Sequence, residues 1–194
     1  MRLALLLVLA GNAWVTTATL DGFYVALGDN RGNVFLRGGT NETDLGKLGE
    51  DGATITPVLV CTSTMLLGCA GLASLHTNKN GDLLLFHRDD IVGSEIYRVA
   101  AGSHEATEYV GMPSLDILAP TAFMVDDDDD DDDNAYLQYG ANNGGAIYAY
   151  FLSAGSTSWE QGPEMPRPGM VFSVDKSGQA YAISSTSLQS YILD

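Results

Sequence analysis

Along this chain of 194 residues, a short run alternating between apolar and polar positions enters a turn rich in Asp, Asn and Gly, and a second alternating run leaves it. The plainest copy runs from Phe172 through Val174, Asp175 and Gly178 to Ile183. Others run from Tyr24 to Leu36 around Asp29 and Gly32, from Ala73 to Leu85 around Asn78 and Gly81, and from Ala122 to Tyr139 around a block of aspartates. A two-residue period puts successive side chains on opposite faces, and turn residues between two such runs close an antiparallel hairpin. The first strands of the four copies start at positions 24, 73, 122 and 171, a spacing of 49 each time. Self-similarity at that period predicts repeated supersecondary units.

Read in order, the first hairpin is followed by residues 38–52, whose glycines and polar side chains predict a long surface loop. The stretch Ile55 to Leu67 is apolar and β-branched without a helical stripe, which predicts one or two buried strands. After the second hairpin, Glu95 to Val99 and Glu105 to Val110 complete a four-strand unit. The third unit repeats that order with Ala122 to Val125, Ala135 to Tyr139, Ala146 to Leu152 and a short strand around Trp159. A fourth unit begins at Met170 and ends at Leu193 one strand short. The expected fold is all-β, a β-propeller of about four blades of 49 residues spanning 19–194, with a β-sandwich of the same strands as the alternative. Residues 1–18 have two readings. Arg2 followed by the apolar run Leu3 to Ala10, with small residues before Ala18, has the form of a secretory signal peptide, and the same run could be the strand that closes the fourth blade. The run is too short for a transmembrane helix.

Charge narrows the partners. The formal net charge is −16, and the eight aspartates 126–133 supply −8 of it. Nine Lys and Arg residues are scattered without a basic cluster, so the phosphate attraction that drives nucleic-acid binding has no source. Cys61 and Cys69 are the two cysteines. In an exported protein they could form a disulfide closing a small loop, contributing about 2–3 kcal/mol; the alternative is two buried thiols in an apolar run. Asn41-Glu42-Thr43 is an N-glycosylation sequon, usable in a eukaryotic secretory path.

The aspartate block carries the most distinctive chemistry. Its eight residues span at most about 29 Å when extended, so neighbouring charges sit well inside the roughly 8 Å screening length of physiological salt. Calcium takes six to eight oxygen ligands with tolerant geometry. Asp126, Asp128, Asp130 and the amide of Asn134 are the candidate ligands, and the competing reading is a solvated acidic loop. No enzyme centre is visible: His76, His87 and His104 lack metalloprotease spacing, His104-Glu105 has no second histidine, and no nucleophile elbow occurs. Tyr97, Tyr109, Tyr136, Tyr139, Tyr148, Tyr150 and Trp159 fall on or beside expected strands, where rings either stack on a ligand or pack between blades.

The strand, acidic loop, strand pattern resembles FG-GAP and related (VCBS-type) extracellular propeller repeats, whose loop holds calcium through acidic or amide residues at alternating positions. Val125 to Asp130 with Asn134 is the best match, and Asn78 to Asp82 and Asp175 to Gly178 are degenerate versions. Asp131 stands where the pattern has a turn glycine, and Gly140 lies too far along. The Phe172 to Ile183 hairpin is equally similar to NHL-type repeats. Ile147-Tyr148 followed by Trp159 looks like the third strand of fungal propeller lectins, without their full sugar-binding set. These resemblances imply a secreted, non-enzymatic protein for extracellular adhesion or recognition of a protein or glycan, assisted by calcium. The alternatives are a glycosylated filament subunit that self-assembles through strand edges, a carbohydrate-binding lectin, and a hydrolase or lyase on the same scaffold.

Overall fold

The computed structural model describes residues 2–9, 13–21, 23–38, 44–60, 71–89, 93–113, 118–126, 134–141, 147–153, 155–165, 171–174, 179–183 and 188–192. The fold is all-β, with no α-helix among the described residues. Strands β1 (Arg2–Leu9) and β2 (Ala13–Asp21) pair with each other. The first four-stranded sheet contains β3 (Phe23–Gly28), β4 (Val34–Gly38), β5 (Asp44–Leu48) and β6 (Ile55–Val60). The second contains β7 (Leu72–Thr77), β8 (Leu83–Asp89), β9 (Gly93–Val99) and β10 (Ala106–Glu108). The third contains β11 (Leu118–Val125), β12 (Ala135–Ala141), β13 (Ile147–Leu152) and β14 (Glu160–Met165). The fourth holds β15 (Val171–Val174), β16 (Gln179–Ile183) and β17 (Leu188–Ile192). Every sheet is an antiparallel meander in chain order.

Burial shows how the sheets stack. In β8 the run Leu83-Leu84-Leu85-Phe86 is buried at every position, which a strand achieves only when both of its faces are covered. Leu83 and Leu85, with Tyr97 and Val99, pack against Phe35 and Leu45 of the first sheet. Leu84, Phe86 and Ile96 face the other way, onto Phe123, Leu137 and Tyr139 of the third. The second sheet is therefore the middle of three layers, one more than a two-layer sandwich has. The series extends on both sides. Leu36 points away from Phe35 and is fully buried, and β1 lies against β3. Tyr136 and Gln138 point away from Leu137 and are buried, and β15 lies against β11.

Hydrogen bonds between sheets step along the chain by about one repeat. On the first strands, the His76 ring donates from Nε2 to the Phe123 carbonyl at 2.9 Å, and Thr77 N–H donates to Asn30 Oδ1 at 2.9 Å. At the outer edges, just before or after β10 and β14, His104 Nδ1 donates to the Val58 carbonyl of β6 at 3.0 Å and Trp159 Nε1 to the Gly111 carbonyl at 3.1 Å. First strand meets first strand, and outer edge meets outer edge.

One sequence expectation is corrected. Residues 38–52 are not one long loop, because β5 lies inside them and pairs with both β4 and β6. Gly46 reads as a turn residue but is a packing residue: a Cβ there would sit 2.5 Å from Ile55 Cγ2. Among the described residues β1 and β2 pair with each other, and the fourth sheet has three strands. Of the stretch Ile55 to Leu67, Ile55–Val60 is strand β6, and 61–67 lie outside the described residues.

Candidate functional site

In the first three sheets, the described ends of the hairpin tips joining first to second strands share one chemistry. An Asp or Asn at the first position and its counterpart at the last are bonded twice, through the main chain and through the side chains. The N–H of the first residue donates to the carbonyl of the last at 3.0 Å for Asp29 and Asn33, 2.9 Å for Asn78 and Asp82, and 3.1 Å for Asp126 and Asn134. Asn33 N–H and Nδ2 each donate to the Asp29 carboxylate at 2.7 Å. In the second sheet the pair is reversed: Asp82 N–H donates to Asn78 Oδ1 at 2.8 Å, and Asn78 Nδ2 reaches Asp82 Oδ2 at 3.3 Å. Gly32 and Gly81, at φ 78° and 80°, supply the left-handed step that lets so short a tip reverse the chain.

The third tip uses the same anchors across a longer connection. Asn134 N–H donates to Asp126 Oδ1 at 2.8 Å, Asn134 Nδ2 to Oδ2 at 2.9 Å, and Tyr136 Oη to Oδ2 at 3.1 Å. Asp126 is 2% exposed. The structure thus brings together two of the four candidate calcium ligands, Asp126 and Asn134, and engages them in closing the hairpin. Asp128 and Asp130 lie outside the described residues, as do Asn41, Cys61, Cys69 and the fourth tip at 175–178. Among the described residues no three His, Cys, Asp or Glu side chains are grouped to hold a metal ion.

Electrostatics at the tips is set by these bonds. Burial opposes charge on Asp29, but the Thr77 hydroxyl, the Asn33 amide and the N–H groups of Asn33 and Arg31 outweigh it and hold the carboxyl below its ordinary value. Burial likewise opposes charge on Asp82, and the Ala101 N–H, Arg98 and Asn78 outweigh it in the same direction. Arg98 donates from Nε to Asp82 Oδ2 at 2.8 Å and stands 2.6 Å from it through Nη2. Arg31 Nε donates to the Thr77 carbonyl at 3.2 Å and Arg37 Nη1 to the Leu72 carbonyl at 3.3 Å, so both tie the first sheet to the first strand of the second.

The histidines do not converge: His76 lies between sheets, His87 is buried against Gly71, and His104 is exposed. Burial lowers the His76 pKa, opposed by its bond to Phe123 and by the charge of Asp29. Tyr97, Tyr136, Tyr139 and Tyr150 are core side chains, while Tyr109, Tyr148 and Trp159 pack against the core from its margin. Four of the seven rings considered for ligand stacking are therefore occupied in packing. No family model matches this chain, and no curated protein is significantly similar to it. The tip anchors were missed from sequence, although Asp or Asn recurs at both ends of each described tip; aligning the hairpins on those two positions would have revealed them.

Proposed function

We propose that this chain is a non-enzymatic recognition scaffold of β-propeller type, working outside the cell and presenting an acidic, calcium-attracting tip to a protein or glycan partner. The observation that carries this reading is the insertion of Asp127 to Asp133 between two anchors that the first two tips join across only three residues. Seven like charges are costly to gather, and the hairpin closes without them elsewhere, so their retention points to use at the surface. Calcium would draw its oxygens from 127–133, because Asp126 already accepts three hydrogen bonds. The radial reading is supported by the succession of first strands, in which β7 touches β3 and β11, and β11 touches β15. Export is supported by the leader-like residues 1–18.

Calorimetric titration of calcium into the native chain should give saturable heat, and the heat should vanish when 127–133 are replaced by Asn-Arg-Gly. Silence in the native protein, or unchanged heat in the replacement, refutes the calcium role. The N-terminal residue and mass of protein recovered from a secreting culture test export and glycosylation of Asn41 together.

A further inference from the structure

The three four-stranded sheets also share the turn between their third and fourth strands. Gly52 N–H donates to the Gly49 carbonyl at 3.0 Å, Ser103 to Ala100 at 2.8 Å, and Ser156 to Ser153 at 2.9 Å. Strand register completes the correspondence: Lys47 pairs with Phe35, and Arg98 pairs with Leu84, each of which lies two residues beyond the last position of its tip. Lys47 therefore occupies in the first sheet the place of Arg98 in the second, Glu50 that of Ala101, and Asn33 that of Asp82.

In the second sheet these places form a closed charge arrangement. Arg98 pairs with the Asp82 carboxylate, and Ala101 N–H donates to its other oxygen at 2.9 Å. The first sheet keeps a cation and a main-chain N–H at the matching places but has the neutral Asn33 where the carboxylate stands. The Lys47 side chain forms no ion pair among the described residues. Beside it lies a cavity of about 530 Å³, within the range of small-molecule sites. Leu48 and Gly52 give it a buried floor, and Arg31, Lys47 and Glu50 stand on its exposed rim. Its walls are two turns locked by aspartates. Asp29 accepts from Arg31 and Asn33, and Asp51 accepts from the N–H groups of Ala53 and Thr54 and from the Thr54 hydroxyl.

We propose that this cavity binds a small oxyanion-bearing molecule of monosaccharide size, whose carboxylate or sulfate supplies to Lys47 the negative charge that the Asp82 carboxylate supplies to Arg98 in the next sheet. Lys47 supplies the charge, the Glu50 N–H the directed donor, and Arg31, held by Thr77, a second cation on the rim. Lys47 and Arg31 stand at the rim with the Glu50 carboxylate, while the Asp29 and Asp51 carboxylates of the walls are engaged by the hydrogen bonds of their own turns. The site is independent of the acidic tip and of calcium.

The test titrates the full-length protein with glucuronate, glucose 6-sulfate and glucose, read by calorimetry and by amide chemical shifts. One or both anions should bind saturably and glucose should not, with the two anions separating a carboxylate from a sulfate preference. Lys47→Ala, at an exposed position, should weaken binding by about tenfold or more. Asp29→Asn combined with Asn33→Asp rebuilds the arrangement of the second sheet and should abolish binding while keeping the melting temperature. Failure of both anions to bind at millimolar concentration, glucose binding as tightly as they do, or anion binding unchanged by Lys47→Ala overturns the proposal.

Discussion

Replacing Asp127 to Asp133 by Asn-Arg-Gly would turn the third tip into a copy of Asp29 to Asn33, and this graft isolates what the acidic run does for the fold. The anchors would then be four residues apart instead of eight, as in the first tip. Halving a closed loop recovers about 0.6 kcal/mol of closure entropy, and removing seven adjacent negative charges adds a salt-dependent gain. For a chain of this size, a change of about 1 kcal/mol corresponds to a shift of about 2–4 °C, so the entropic part alone should raise the melting temperature by about 1–2 °C. Thermal melts followed by circular dichroism measure it, at low salt and again at high salt, where the electrostatic part should shrink. A fall of several degrees, or loss of the β-sheet spectrum, would show that the run holds the third sheet together, and the division between anchor and insert would fail.

Three further outcomes follow from the same geometry. Asp126→Ala should behave oppositely to the graft, lowering stability by about 1–3 kcal/mol, because it strands the Asn134 and Tyr136 donors beneath the tip; denaturant titration reads it. Gly71→Ala would place a Cβ 2.4 Å from the ring of His87, which is 2% exposed, so overpacking should cost about 1–3 kcal/mol in the same assay. The folded-state pKa of His76 lies below its ordinary 6.5, so the unfolded chain takes up the proton first on acidification. Stability from this group is complete above that value and is lost as pH falls from it through the folded pKa; His76→Gln should flatten the slope of unfolding free energy between about pH 7.5 and about pH 5.5, settings that bracket the histidine range.

Strand positions are readable wherever one face of a strand meets the core or both do. The alternation of Tyr24 to Leu36 and the unbroken apolar run of β8 are direct imprints of those two environments. β5 carries no such imprint because its central glycine serves contact with Ile55, and a missing side chain has no period. The burial of Asp126 is hidden for a related reason. As the first of eight identical residues it looks like a charge in solvent, and only its partners Asn134 and Tyr136 distinguish it from the seven that follow. The kinship of Lys47 with Arg98 is beyond sequence reading, since it depends on which residues face one another across β4–β5 and β8–β9.

A repeat that keeps its anchors frees what lies between and beside them. The third residue after the first tip position is glycine in the first two tips, whereas the third tip carries aspartates throughout. At the strand position shared by Lys47 and Arg98, register places Phe151 in the third sheet, opposite Tyr136. An aromatic residue there fits a sheet whose last tip position, Asn134, has no carboxylate to neutralise, and Tyr136 turns its hydroxyl to Asp126 instead. The three sheets thus differ at this position: a cation paired internally in the second, a cation beside a cavity in the first, and an aromatic ring in the third. Where the copies agree they specify the stack, and where they diverge, at Lys47 and at Asp127 to Asp133, the divergence serves no need of the fold that the other copies reveal.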